Sequence, residues 1–196
     1  MKKFLMSACL ALTATAVTAT PIQAATITEI VAASGGTFDS NNNDYDILLN
    51  AVLAANLADA LNNPEDSLTV FAPNDRAFIR TARDLGFSGT DESGAWAFLV
   101  QAFTTLGNGD PIPVLTQVLL YHVSPEKIRP INLILKTIFG MPIQTLQGAT
   151  IRPYFLKLID NEPNLPNPWV TIPFNINADN GVIHTINRVL IPVDLP

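Results

Sequence analysis

Oxygen-bearing side chains gather in one stretch of this chain, FDSNNNDYD, and their spacing could bind a cation. Asp39, Asn41 and Asn43 alternate as the first ligands of an EF-hand calcium loop do. The sixth position of such a loop would be Asp44 where glycine is needed, and the twelfth would be Asn50 where a bidentate glutamate is needed. The stretch therefore favours a polar loop with Asp44 as the N-cap of the next helix. Calcium binding by its first three alternating oxygens is the alternative.

Residue types that commonly perform catalysis are scarce in the rest of the chain. The only cysteine is Cys9, and the two histidines are His122 and His184. His122 falls on the apolar face of a predicted helix, and His184 lies in a predicted strand, so we expect both to be buried, neutral and hydrogen-bonded rather than catalytic or ligand-binding. The sequence has no Gly-X-Ser-X-Gly elbow, no His-Glu-X-X-His and no glycine-rich phosphate loop. It predicts a non-enzymatic protein without catalytic residues, metal centre or cofactor.

The N-terminal segment, residues 1–24, has the composition of a secretory signal peptide. Lys2 and Lys3 precede an uncharged stretch of apolar and small residues, and a small-residue cleavage position follows at Ala24 or Ala25. The stretch is too short for a stable membrane span, with a retained N-terminal anchor as the alternative. We therefore predict an exported protein that is periplasmic, secreted or located at the cell surface.

The mature chain is acidic and lacks cysteine. Removal of the signal segment would leave nine basic and seventeen acidic residues, a formal net charge of −8. An acidic surface argues against binding to nucleic acid or to an anionic lipid surface. Residues 25–196 are numerous enough to bury one sizeable core, so we predict a single domain there, stable without disulfides and without a transmembrane anchor.

Apolar residues recur with helical periodicity in the first half of the mature chain, and they alternate with polar residues, as in a strand, in the second half. We predict helices over 26–34, from 47, after Pro73, around Trp96 and after Pro113, and strands over 67–72, 127–130, 143–146, 150–151, 155–159, 170–175 and 182–186. Such segregation predicts an α+β fold rather than alternating βαβ units.

Three segments carry the strongest local signals, and they occur in a fixed order. They are LTVFAPNDRAF at 68–78, VLLYHV at 118–123 and NGVIHTINRVLIP at 180–192. A strand enters a polar turn that caps a helix, a helix ends in Tyr-His, and a closing strand follows Asn-Gly. Together the segments resemble the fasciclin (FAS1) domain. The residues that carry this resemblance, and for which we expect structural roles, are Phe71, Pro73, Asn74, Asp75, Phe78, Gly181 and His184.

The resemblance implies a fasciclin-type β-wedge of mostly antiparallel strands with several helices around it. In animal fasciclin proteins, a Tyr-His motif has been linked to integrin recognition, which makes Tyr121 and His122 a candidate interaction motif here. The N-terminal segment looks bacterial, whereas integrins are animal receptors, so we expect the match to reflect core packing. For Asp75 we expect a structural hydrogen-bonding role in preference to ligand binding.

The resemblance implies a function in adhesion, through an unknown protein or polysaccharide at the cell surface or in the matrix. The alternative is a carrier for an apolar, carotenoid-like small molecule, because some secreted fasciclin-like proteins bind carotenoids. The apolar run from Ile131 to Phe139 could line a groove for such a ligand, although burial in the core is its ordinary fate.

Overall fold

The computed structural model describes residues 25–195, so the predicted signal peptide, residues 1–24, lies outside the described residues. The helices are α1 (Ile27–Ala33), α2 (Asp46–Ala54), α3 (Asp75–Asp84), α4 (Glu92–Leu106), α5 (Ile112–Tyr121) and α6 (Pro130–Ile138), with a short 3-10 turn at Asp59–Leu61. The strands are β1 (Leu68–Pro73), β2 (Val123–Ser124), β3 (Ile143–Gln144), β4 (Thr150–Tyr154), β5 (Lys157–Ile159), β6 (Val170–Ala178) and β7 (Gly181–Ile186). The α+β class predicted from the sequence is confirmed. Between residues 25 and 195, no helix combines the length and the apolar composition needed to cross a membrane.

Two sheets organise the strands. One has the order β2-β1-β7-β6 and the other the order β3-β4-β5. β1 and β7 run parallel, with Leu68 opposite Gly181 and Pro73 opposite Ile186, whereas the other pairs are antiparallel. Glycine is required at the start of β7, because a Cβ on Gly181 would collide with the carbonyl oxygen of Leu68.

Strand β1 separates two hydrophobic cores, and every one of its residues is buried. Leu68, Val70 and Ala72 point into the larger core, which the helices α1 to α5 cover. Phe71 points the other way, into a second core that it shares with residues of α6 and of the three-stranded sheet. Full burial of one such apolar side chain stabilises the fold by about 1.5–3 kcal/mol. The side chains of this one strand therefore contribute to both cores.

The segment after the Tyr-His helix differs from the prediction. The prediction of an edge strand over 127–130 is wrong, since these residues form a loop that leads into α6. The strand that pairs with this edge of β1 is β2. Proline suits the first helical position, where its missing N–H has no helical partner to lose, and Pro130 occupies that position in α6. Asn132 Oδ1 accepts the N–H of Arg129 at 2.8 Å and stabilises the start of the helix. The apolar run from Ile131 is therefore helical.

Several strand ends also differ from the prediction, chiefly in the three-stranded sheet. The strand expected over 155–159 begins only at Lys157. Phe155 adopts a φ of 53°, a left-handed conformation in the tight turn between β4 and β5, so it cannot continue a ladder. The strand expected over 150–151 extends instead to Tyr154.

Candidate functional site

His122 is buried and both of its ring nitrogens are engaged. Its Nδ1 lies 2.7 Å from the carbonyl oxygen of Val118, and its Nε2 accepts the N–H of Leu190 at 2.8 Å. A carbonyl can only accept, so the proton sits on Nδ1 and the ring is neutral. Burial lowers the pKa of His122 to about 4. The imidazole therefore joins α5 to the segment after β7 and has no free nitrogen for chemistry.

His184 is satisfied in the same way but with the opposite tautomer. Its Nε2 donates to the carbonyl oxygen of Ile128 at 2.7 Å, and its Nδ1 accepts the N–H of Asn175 at 3.2 Å. The ring stacks on Phe71 with a centroid distance of 5.8 Å, and burial lowers its pKa. The two histidines lie in separate hydrogen-bond networks and form no common site.

The candidate interaction motif is buried. Tyr121 is 0% exposed and His122 is 3% exposed. The hydroxyl of Tyr121 donates to the carbonyl oxygen of Thr150 at 3.1 Å, and burial raises the pKa of this phenol. Neither side chain is accessible on the surface of the folded domain.

Asp75, a residue of the polar turn, connects two helices. Its Oδ1 accepts the N–H of Ile47 at 2.7 Å, and its Oδ2 accepts the N–H of Asp46 at 3.1 Å. These are the first two N–H groups of α2, which lack partners within the helix. The N-cap position of α2 is Tyr45, without a side-chain cap, so the prediction that Asp44 caps this helix is wrong. Asn74 caps its own helix α3 by accepting the N–H of Ala77 at 3.0 Å.

Asp75 also belongs to a group of carboxylates at which three helices begin. Asp46, Asp75 and Glu92 are the first residues of α2, α3 and α4. Asp39 and Asp44 complete what we call the acidic cluster. One oxygen each of Asp39, Asp46 and Glu92 lie within 4.8 Å of one another, as do one oxygen each of Asp44, Asp75 and Glu92. A helix dipole stabilises an adjacent carboxylate by about 0.3–1 kcal/mol, less than the several kcal/mol lost when an ion is buried.

Three oxygens of the acidic cluster are buried without a hydrogen-bond partner among the described residues. They are Asp44 Oδ1, Asp46 Oδ2 and Glu92 Oε1. The two ion pairs found between residues 25 and 195 both lie elsewhere and involve other carboxylates. Burial raises the pKa of Asp46, Asp75 and Glu92, and neighbouring carboxylates raise each pKa further. The crowding therefore disfavours the charged forms of these carboxyl groups, and neither ion pair among the described residues compensates them.

Of the three residues that suggested an EF-hand loop, Asp39 alone is a carboxylate of the acidic cluster. Asn43 is exposed. Asn41 donates from Nδ2 to Asp44 Oδ2 at 2.7 Å, so its amide nitrogen faces the acidic cluster. Asp44 and Asp46 belong to the same polar stretch, but sequence reasoning missed Asp75 and Glu92 because these residues begin α3 and α4 and share no local pattern with that stretch.

An exposed apolar surface lies on α6 and on the strands and turn that adjoin it. We call it the apolar face, and each of its residues is more than a third exposed: Ile131, Ile134, Leu135, Ile138, Phe139, Tyr154, Phe155 and Trp169. Hydrogen bonds join its elements, since the N–H of Phe155 reaches Thr137 Oγ1 of α6 at 2.8 Å and the N–H of Val170 reaches the carbonyl oxygen of Leu156 at 2.8 Å. Single exposed apolar residues are ordinary, but a group on adjoining elements marks an interaction surface.

The charges around the apolar face differ from those of the whole chain. Five of the nine basic residues after residue 24 fall within 127–159, a range that contains no acidic residue. Lys136 lies on α6 and pairs with Glu126 at 3.0 Å. The segment that carries most of the apolar face is therefore basic, on a chain whose net charge is negative.

A cavity of about 680 Å³ lies among α3, α4, α5 and the segment after β7. Its walls are mainly apolar and include Phe78, Phe98, Phe103, Leu115 and Val189. This volume falls within the range of small-molecule sites, about 300–1,000 Å³. No residue of the run from 131 to 139 lines this cavity, and the exposed apolar residues of that run belong to the apolar face instead.

Comparisons with known proteins agree with this architecture. A family model for the fasciclin domain matches residues 43–192. In Synechocystis sp., the uncharacterized protein sll1735 is 31% identical over 147 residues, covering 75% of this chain and 89% of that protein. The protein sll1483 of the same organism is 29% identical over 153 residues, covering 78% of this chain and 70% of that protein.

A solved structure shows the same fold. It is the FAS1 domain pair from the insect cell adhesion molecule fasciclin I, matched with a TM-score of 0.60 at 17% identity. The match covers 87% of this chain and 52% of the solved one, so this chain spans about half of that domain pair.

The chain belongs to the fasciclin domain family, as the order of its three motif segments predicted. Fasciclin domains are typically extracellular and generally non-enzymatic, and the family suggests an adhesion-type or interaction role. The matched range begins at residue 43, so the domain boundary at residue 25 stays a prediction.

Proposed function

We propose that this chain is an exported, non-enzymatic interaction module that binds a partner protein of the cell surface or matrix through its apolar face. The observation that carries this proposal is the exposure of large apolar side chains on α6 and on the adjoining turn between β4 and β5. The family supports an interaction role, and the composition of residues 1–24 supports export.

The chemistry of the apolar face indicates the kind of partner. Large apolar side chains such as Phe139, Phe155 and Trp169 contribute most binding free energy when a partner protein buries them. Basic residues of the segment that carries most of this face would favour a partner with acidic groups at its rim and would increase the rate of association. We therefore propose a partner whose binding surface is apolar at its centre and acidic at its edge.

The double substitution Ile138→Ser and Phe139→Ser tests this function. Ile138 is 64% exposed and Phe139 is 69% exposed, so the fold should be unaffected while the apolar face loses two anchors. Loss of about 1–2 kcal/mol per anchor would weaken binding by more than tenfold. The measurement is quantitative recovery of proteins from an envelope extract on immobilised wild type and variant.

Leu53→Ser is the matched control, because Leu53 is 58% exposed on α2, outside the apolar face. Specific proteins retained by the wild type and by this control, but lost with the double variant, would support the proposal. Equal recovery on all three proteins would contradict it. Retention of polysaccharide alone would contradict the choice of a protein partner.

A second candidate function is a carrier for an apolar small molecule, and the cavity of about 680 Å³ favours it. Ala102→Phe would place a ring in this cavity, since Ala102 lines it on α4. Ala97→Phe is the control, because Ala97 is exposed on the same helix and does not line the cavity. After expression in a carotenoid-producing host, we expect visible absorbance from the wild type and the control, and at least a tenfold reduction with Ala102→Phe. A colourless wild-type preparation would contradict a carotenoid-carrier function.

A further inference from the structure

We propose that the acidic cluster is a calcium site, in which Asp39, Asp46 and Glu92 bind the ion through oxygens that lie close together. Asp75 would hold the start of α2 in place beside the ion, because both of its oxygens already accept N–H groups of α2. The sequence alone favoured a capping loop, with calcium binding by Asp39, Asn41 and Asn43 as the alternative. Of those three residues, only Asp39 belongs to the site proposed here.

The unpaired oxygens are the observation that points to a cation. Asp46 and Glu92 are each 1% exposed. Asp46 Oδ1 accepts the N–H of Gly36, and Glu92 Oε2 accepts the N–H of Asp39 at 2.8 Å, yet the second oxygen of each carboxylate has no donor among the described residues. The same holds for Asp44 Oδ1. Buried carboxylate oxygens are ordinarily paired with a donor or bound to a metal ion.

The chemistry of the donors selects calcium among the common metal ions. Every candidate ligand is a carboxylate oxygen, which suits a hard cation, whereas zinc and copper prefer nitrogen or sulfur. The ring nitrogens of both histidines are already engaged elsewhere. The three ligand oxygens lie within 4.8 Å of one another, which is close enough for one calcium ion at about 2.3–2.6 Å from each oxygen to contact all three. Magnesium requires a tighter octahedron and retains several waters, so it fits less well.

A calcium ion at this position would link the starts of α2 and α4 to the loop that contains Asp39. The first residue of each helix supplies a carboxylate, and the loop residue supplies a third from an exposed position. Binding would therefore stabilise the folded state and would have no counterpart in the unfolded chain.

Calcium titration of the EDTA-treated chain tests this site. With Ca²⁺ at one hundred times its Kd, we expect the Tm to rise by about 5–10 °C. Isothermal titration calorimetry should give a Kd in the range of about 10⁻⁴–10⁻³ M that is common among extracellular calcium modules. Glu92→Gln should weaken calcium binding by at least tenfold.

Two further variants separate calcium binding from folding. Asp39→Asn, at an exposed ligand, should leave the EDTA-treated protein folded and still weaken calcium binding. Glu65→Gln, at an exposed glutamate outside the acidic cluster, should bind calcium as the wild type does. The proposal is overturned if 10 mM Ca²⁺ neither shifts the wild-type Tm nor produces binding heat, or if Glu92→Gln and Asp39→Asn both respond as the wild type does. A larger Tm shift with Mg²⁺ than with Ca²⁺ would overturn the assignment to calcium.

Discussion

Replacement of His122 by leucine should lower the free energy of unfolding by about 2–4 kcal/mol at pH 7. Leucine has a similar size but cannot accept the N–H of Leu190 or donate to the carbonyl oxygen of Val118. Leu190 is fully buried, so its N–H would lose its only protein acceptor in a place that water does not reach. Urea unfolding monitored by far-UV circular dichroism measures the loss. Gln117→Ala, an exposed substitution on the same helix, should change the free energy by less than about 0.5 kcal/mol.

The pH dependence of that difference tests the charge state of the imidazole. Burial lowers the pKa of His122 to about 4 in the folded protein, from an ordinary value of 6.5. Since the unfolded chain takes up the proton first as the pH falls, the contribution of His122 is complete above pH 6.5 and is lost towards pH 4. The difference between these two pKa values corresponds to about 3 kcal/mol. Between pH 7 and pH 4, the difference in unfolding free energy between wild type and His122→Leu should therefore shrink by about that amount. A difference that stays constant from pH 7 to pH 4 would contradict the neutral, buried imidazole.

Replacement of Asp75 by alanine should cost about 2–4 kcal/mol of unfolding free energy. The substitution leaves the N–H groups of Asp46 and Ile47 without an acceptor at the buried start of α2. Burial raises the pKa of Asp75, which shows that burial of its carboxylate is itself unfavourable. Removal of this group therefore offsets part of the lost unfolding free energy, so the expected loss is smaller than the largest losses seen for buried polar groups. Chemical unfolding at pH 7 measures the change.

Asp59→Ala provides the comparison for Asp75→Ala, because Asp59 is exposed in the short 3-10 turn. Its effect should stay within about 0.5 kcal/mol. Equal stabilities of the two variants would show that the carboxylate of Asp75 does not hold the start of α2.

Local signals allowed much of the fold to be predicted from the sequence. Pro73 and Asn74 mark the change from β1 to α3. Pro73 has no N–H to donate to a neighbouring strand, and the side chain of Asn74 caps the helix. The apolar spacing around Trp96 predicted α4, and the Asn-Gly turn predicted the start of β7 at Gly181. Each of these signals is complete within a few residues of chain.

The features that escaped prediction depend on contacts between distant segments. Ile131 and Ile138 are β-branched and apolar, which suits a strand as well as a helix, so only Pro130 as a first helical residue distinguished the two structures. The acidic cluster joins the starts of α2, α3 and α4, and no local spacing connects residues as far apart as Asp46 and Glu92. The cavity is equally nonlocal, because the packing of three helices forms it.

The position of β7 between β1 and β6 determines when this protein can fold. Leu68 has its parallel partner at Gly181, more than a hundred residues later. A nascent chain thus has no parallel neighbour for β1 until almost the entire domain has been synthesised. Formation of such nonlocal pairs is slow, on the order of milliseconds to seconds, and an unpaired apolar strand invites aggregation in that interval. The late arrival of β7 therefore leaves β1 exposed to association with other chains until synthesis of the domain is nearly complete.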